Sequence, residues 1–161
     1  MARRRLPALA ASALALTLLA QSASAANLAG RVVRVIDGDT VVVLVQHKQV
    51  RVRLAGIDAP ERPGQPFSAV SRDALASVVA GKVVTVTFDQ EDQYGRVIGQ
   101  VDAGGVNANR AQLRAGMAWV YSRFNKNPVD RAIELQARAR RAGLWVDPAP
   151  VPPWQWRRAT K

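Results

Sequence analysis

Two short acidic turns and two arginines carry the chemistry that can be read first. Residues 36–61 run IDGDTVVVLVQHKQVRVRLAGIDAPE. Asp37 and Asp39 lie in the first turn, Asp58 and Glu61 in the second, and Arg51 and Arg53 in the run between them. Carboxylates are the oxygen donors that a hard cation takes. Guanidiniums stay charged at any working pH and can grip phosphate oxygens with two parallel hydrogen bonds. Both groups at the ends of one small sheet point to a bound cation and a phosphate.

The composition removes other chemistries. No cysteine is present, so disulfides, thiolate metal sites and a cysteine nucleophile are excluded. A lone histidine, His47, leaves no basis for a histidine-built zinc site or a Ser-His-Asp triad. A formal charge of +11 on 161 residues favours polyanionic partners, nucleic acid first.

Residues 1–25 have the layout of a Sec signal peptide. Arg3, Arg4 and Arg5 precede an apolar stretch over 6–20, too short for a membrane span, and Ala23-Ser24-Ala25 offers a cleavage site. Removing it lowers the charge by only three, so the basic character belongs to the mature chain. The expectation is a periplasmic or secreted protein that is not held by a membrane after cleavage. Residues 26–146 then form one domain and residues 147–161 a Pro/Trp/Arg-rich tail.

The elements that must hold the acidic turns read as β-β-β-α-β-β-α-α. Strands are expected over 30–36, 40–46, 49–54, 82–88 and 96–102, from their valine content and alternation. In the third, Val50, Val52 and Leu54 share one face and Arg51 and Arg53 the other. Asp37-Gly38 suits a tight turn with positive φ. Helices are expected over 66–80, 106–115 and 129–142, with Gly81, Gly116 and Gly143 as their stops. Alternation through 118–121 puts Trp119 and Tyr121 on one side. The proline-rich tail after Asp147 reads as neither regular helix nor central strand. The fold class is mainly β with α (α+β): a five-stranded OB-fold barrel with three helices, an architecture that commonly binds nucleic acid on its outer face.

Four motifs, in order, are Val35-Ile36-Asp37-Gly38-Asp39-Thr40, Arg53-Leu54-Ala55-Gly56-Ile57-Asp58-Ala59-Pro60-Glu61, Asp92-Gln93-Tyr94-Gly95-Arg96 and Gly143-Leu144-Trp145. On these the chain resembles the staphylococcal nuclease (thermonuclease) family over roughly residues 29–146. The resemblance implies a Ca²⁺-dependent nuclease acting on DNA and RNA. It assigns Asp39, Asp58 and the main-chain carbonyl of Ala59 to the metal, and Arg53, Glu61 and Arg96 to catalysis. Ala59 stands where the family often has threonine, which leaves a backbone ligand intact. Glu61 would accept a proton from the attacking water or orient it. The two arginines would stabilise charge on the phosphoryl oxygens. Cleavage would leave 3′-phosphate ends, and a monomer is the family's default.

Tyr94, Trp119 and Tyr121 are candidate surfaces for stacking bases, and Arg51 a general phosphate attractor. Core burial competes for Trp119. Gln93 replaces the family's usual lysine and removes one phosphate contact. Asp37 reads as a turn residue that bonds backbone N–H groups. The tail either packs on the barrel or extends the substrate surface. Two other functional classes compete with the nuclease reading. One is a catalytically weak OB-fold module that only binds nucleic acid, and the other is a basic protein of the cell envelope that binds anionic polymers.

Overall fold

Valine-rich runs separated by turns fold into a closed barrel. The computed structural model of the chain describes residues 26–160. The expected leader, residues 1–25, lies outside the described residues. The barrel strands are β1 (Ala26–Val35), β2 (Thr40–Val45), β3 (Lys48–Leu54), β5 (Val83–Glu91) and β6 (Val97–Asp102). Their order around the barrel is β1-β2-β3-β6-β5. Four of the five neighbouring pairs run antiparallel and β3–β6 runs parallel, so the barrel is mixed and OB-like.

Closure depends on β1. Residues Ala26–Arg31 pair with β5, while Arg31–Val35 pair with β2, with a register shift between Val32 and Arg34. The irregularity bends the strand from one neighbour to the next. Strand β1 therefore starts earlier than the Gly30 expected from sequence. The inward faces deliver Val32, Val41, Val43, Val52, Leu54, Val84, Val86, Val97 and Val101, all buried, to the core. Each is worth about 1.5–3 kcal/mol of hydrophobic stabilisation.

Helix α1 (Ser68–Val79) follows the second acidic turn and buries Leu75 and Val79 on the barrel. Helix α2 (Ala108–Arg114) is capped by Asn107 and α3 (Pro128–Ala139) by Asn127. Proline at the first position of α3, Asp130 in its first turn and Arg138 in its last suit the helix ends. Two pairs of residues form a second, small sheet, β4 (Ile57–Asp58) with β7 (Trp119–Val120). A 3₁₀ turn covers Gly143–Val146. No helix among the described residues is long and apolar enough to cross a membrane.

The tail corrects one expectation. Residues Pro153–Ala159 form a fourth helix, α4, where the proline content argued against one. Pro152 is its N-cap and Pro153 its first residue. The first N–H groups of a helix have no intrahelical partner, so prolines there lose nothing and preset φ. The Pro152 carbonyl accepts from Gln155 N and Trp156 N at 2.9 and 3.0 Å, which closes the first turn.

Gly38 corrects another. It is not among the residues with positive φ. What requires glycine there is space: a Cβ would sit 1.8 Å from Ser71 Oγ and 2.8 Å from Ala59 Cβ.

Candidate active site

The acidic turns are held from below by buried amides. Gln112 of α2 donates through Nε2 to the Gly38 carbonyl at 2.7 Å and to the Ser71 carbonyl at 3.0 Å. Asp37 accepts from the Asp39 amide at 3.0 Å, the part expected of a turn residue. Asn109 accepts from Val101 N and donates to the carbonyls of Ala55 and Gly99, joining α2 to both β6 and the second turn. Buried polar groups satisfied in this way hold one geometry, since any alternative leaves a donor or acceptor unpaired.

On this base Asp39, at the entry to β2, and Asp58, in β4, converge. Both are buried, at 2% and 0% exposure. The guanidinium of Arg53 bridges them: Nη1 reaches Asp39 Oδ1 at 2.8 Å and Nη2 reaches Asp58 Oδ1 at 2.7 Å. Asp39 Oδ2 accepts from Ala59 N at 2.8 Å, and Oδ1 also accepts from Thr40 Oγ1 at 2.9 Å. Burial pushes the Asp39 carboxyl up to about 7 against the pull of Arg53, with Asp37 and Asp58 adding repulsion. The facing carboxylates hold Arg53 above its usual value, although burial opposes them.

Arg157 of α4 completes the cluster, and no motif pointed to it. Its Nη2 contacts Asp58 Oδ2 at 2.8 Å, and its Nη1 contacts Asp58 Oδ1 at 3.2 Å and Glu61 Oε1. Burial disfavours its charge, but bonds to Asp58 and Glu61 dominate and raise it above the ordinary arginine value. Glu61 is positioned through Gln65, whose Oε1 accepts from Glu61 N at 2.8 Å and whose Nε2 donates to Val151 O at 2.7 Å. Gln65 thus ties the glutamate loop to the tail.

Arg96 reaches the same cleft from the turn before β6. Asp92 Oδ2 accepts from its Nε at 2.7 Å, and Asp92 Oδ1 accepts from the amides of Tyr94 and Arg96. Slight burial opposes the effect, but the bonds from Arg96 and Tyr94 hold the Asp92 carboxyl below its usual value. The Arg96 guanidinium lies 5.5 Å from the centroid of the Tyr94 ring. The cleft encloses about 730 Å³, and Asp39, Arg53, Glu61, Arg96, Tyr94, Tyr121, Phe124 and Arg157 all line it.

Two expected substrate contacts lie elsewhere. Trp119 is 3% exposed and packs edge-on against Trp145, with centroids 5.3 Å apart. It has no free face for a base. Only Trp119 and Val120 pair as strand, so alternation does not carry on to Tyr121, which turns into the cleft. Arg51 is exposed on β3, two residues before Arg53 and beyond the cleft lining. Phe124, at 68% exposure, supplies the aromatic wall that sequence reading missed. An aromatic three residues after Tyr121 in a polar loop was the available signal.

The donor set suits a hard cation. Two carboxylates lie within the span of one guanidinium, and burial holds the Asp39 carboxyl well above its ordinary value, a cost that a bound cation would offset. Among the described residues no three His, Cys, Asp or Glu side chains form a metal cage. Asp39, Asp58 and the Ala59 carbonyl would leave the remaining positions of a six- to eight-oxygen calcium shell to water and substrate.

Residues 51–147 match the family model described as staphylococcal nuclease homologue. An uncharacterized endonuclease of Escherichia coli is 52% identical over 133 residues, 82% of this chain and 86% of that protein. A micrococcal nuclease of Shigella flexneri is 44% identical over 168 residues of alignment, 97% of this chain and 95% of that protein. Protein ParB of Escherichia coli is 43% identical, covering 98% and 95%.

Proposed function

The chain belongs to the staphylococcal nuclease family and is a phosphodiester-hydrolysing nuclease, and from that premise we propose that it is a Ca²⁺-dependent enzyme cleaving DNA and RNA with little sequence preference. The observation that carries this reading is the meeting of Asp39, Asp58 and Glu61 with Arg53 at one cleft that Arg96 also lines.

Each residue has a part in the proposed reaction. Asp39, Asp58 and the Ala59 carbonyl hold the cation, which when bound polarises the phosphate and lowers the energy of the charge that builds on it. Glu61, beside Asp58, orients a water for in-line attack and accepts its proton. Arg53 and Arg96 place fixed positive charge against the phosphoryl oxygens, where charge rises in the transition state. Tyr94, Tyr121 and Phe124 offer rings to flanking bases, and such stacking tolerates any base. Water attack at phosphorus with departure of the 5′ oxygen leaves a 3′-phosphate end.

The basic leader with its Ala23-Ser24-Ala25 sequence supports export to the periplasm or beyond. A monomer is proposed, as the default of the family to which the chain belongs. The test is hydrolysis of denatured DNA and of RNA by purified protein with calcium and with chelator, followed by end analysis. Calcium-dependent release of 3′-phosphate ends is expected. Tight, salt-sensitive binding without cleavage would instead favour the binding-module reading.

A further inference from the structure

A second hollow adjoins the catalytic cleft. It holds about 420 Å³, and Tyr121, Ser122, Arg123, Trp154, Arg157 and Arg158 line it. That volume lies within the range of sites that take a small ligand, about 300–1,000 Å³. Tyr121 and Arg157 also line the catalytic cleft, so the two spaces are neighbours across those residues.

The two walls come from distant parts of the chain, and each is fixed. On one side, the Tyr121 carbonyl accepts from the amides of Phe124 and Asn125 at 2.9 Å. Asn125 donates in turn to Gly56 O at 3.2 Å and to Asp130 Oδ2 at 2.9 Å. On the other, α4 is held by the Gln65–Val151 bond and by Arg157 on Asp58 and Glu61. Trp154 then lies flat on Tyr121, with centroids 5.5 Å apart and planes at 4°.

The lining has one chemical character. It offers three guanidiniums, two hydroxyls and two aromatic rings, with no carboxylate. Arg157 is spent on Asp58 and Glu61, whereas Arg123 and Arg158 are both exposed. Among the described residues, neither of these two has an acidic partner. The Arg123 guanidinium lies 5.4 Å from the Phe124 centroid, beside the catalytic cleft. Two exposed guanidiniums beside the stacked Tyr121–Trp154 pair suit a single-stranded nucleic acid, whose phosphates and bases recur together.

We propose that this hollow, built by α4 and residues 121–124, is a further nucleotide subsite that binds single-stranded nucleic acid beyond the scissile phosphate through Arg123 and Arg158. The subsite deepens the nuclease reading and rests on it. Its consequence is a dependence of affinity on substrate length: a strand that reaches past the cleft gains two phosphate contacts, and a single nucleotide gains none.

The test is fluorescence anisotropy of a labelled single-stranded hexadeoxynucleotide, in chelator so that no cleavage occurs, over a series of salt concentrations. Both arginines are exposed, so the Arg123→Ala/Arg158→Ala variant should melt like the parent. The variant should bind the hexanucleotide about tenfold more weakly. Its plot of log affinity against log salt should be shallower by about 1.4, the value for two lost single-strand phosphate contacts. Affinity for thymidine 3′,5′-bisphosphate should not change. Parental affinity and slope in the variant would overturn the subsite and leave the nuclease reading standing. Failure of the parent protein to bind the hexanucleotide would also overturn the subsite, whereas failure to cleave denatured DNA in calcium would overturn the nuclease reading on which it rests.

Discussion

Arg157 donates to both carboxylate oxygens of Asp58, at 3.2 and 2.8 Å, across 99 positions of sequence. The same guanidinium also holds Glu61. A cation binding at Asp58 and a guanidinium on Asp58 draw on the same oxygens. A cation bound at Asp58 would therefore compete with the tail for these oxygens, and Arg157 would have to leave Asp58 to admit it.

The first prediction concerns that competition. Arg157→Ala should bind calcium more tightly than the parent protein without substrate, by about tenfold, the equivalent of one charge-assisted hydrogen bond. Isothermal titration calorimetry measures it. Weaker binding in the variant would mean that Arg157 orients Asp58 for the metal instead of opposing it.

Asp39 makes stability depend on pH. Burial raises its folded pKa to about 7, against about 3.9 in an unfolded chain. Below both values the carboxyl is protonated in either state and contributes nothing. Between them the folded state holds a proton that the unfolded state has lost, so stability falls as pH rises to about 7. Asp39→Asn cannot ionise. In chelator its stability relative to the parent should grow from pH 4 to pH 7 by on the order of a few kcal/mol. Urea melts at a series of pH values would show a flat difference if Asp39 titrates normally.

The aromatic assignments separate by readout. Trp119→Ala should cost about 3–5 kcal/mol of stability, because it empties core volume against Trp145 and Leu144. Tyr94 is 66% exposed, so Tyr94→Ala should leave the melting temperature within about a degree of the parent, as for a surface change. It should weaken binding of single-stranded DNA by about 1–3 kcal/mol. Paired melting and binding measurements check both, and an unstable Tyr94→Ala would contradict the assignment.

The two arginines proposed for catalysis should also differ. Arg96→Ala removes a cation from the cleft rim and should lower kcat about 100- to 1,000-fold with little loss of stability. Arg53→Ala should do the same and also destabilise the metal-free protein by about 3–5 kcal/mol, since it leaves the buried Asp39 without a cation and Asp58 with Arg157 alone. Equal stability losses in the two variants would contradict the geometry.

The barrel was legible in the sequence because alternation and turn chemistry are local. Val50, Val52 and Leu54 against Arg51 and Arg53 set the faces of β3 without any neighbour. The acidic turns were legible as motifs. What stayed hidden depends on contacts between distant residues. Alternation put Trp119 beside Tyr121, but nothing local says that β7 ends at Val120 or that Trp145 will cover Trp119. Gln112 and Asn109 read as ordinary polar residues of a short helix. Their role as struts under the acidic turns exists only once α2 packs across the barrel. Pro152 and Pro153 read as breakers because the same residue that ends a helix can also begin one. Arg157 was one more arginine in a basic tail until α4 carried it onto Asp58 and Glu61.

Metal-assisted phosphodiester cleavage requires that the two buried aspartates hold a cation. The most direct measurement follows hydrolysis of denatured DNA by the purified protein in calcium, then in excess chelator, then in calcium restored. Rapid cleavage, its loss in chelator and its recovery with calcium, together with no activity in Asp58→Asn, is the predicted result. Cleavage that continues in chelator, or an Asp58→Asn variant with the parental rate, would contradict it.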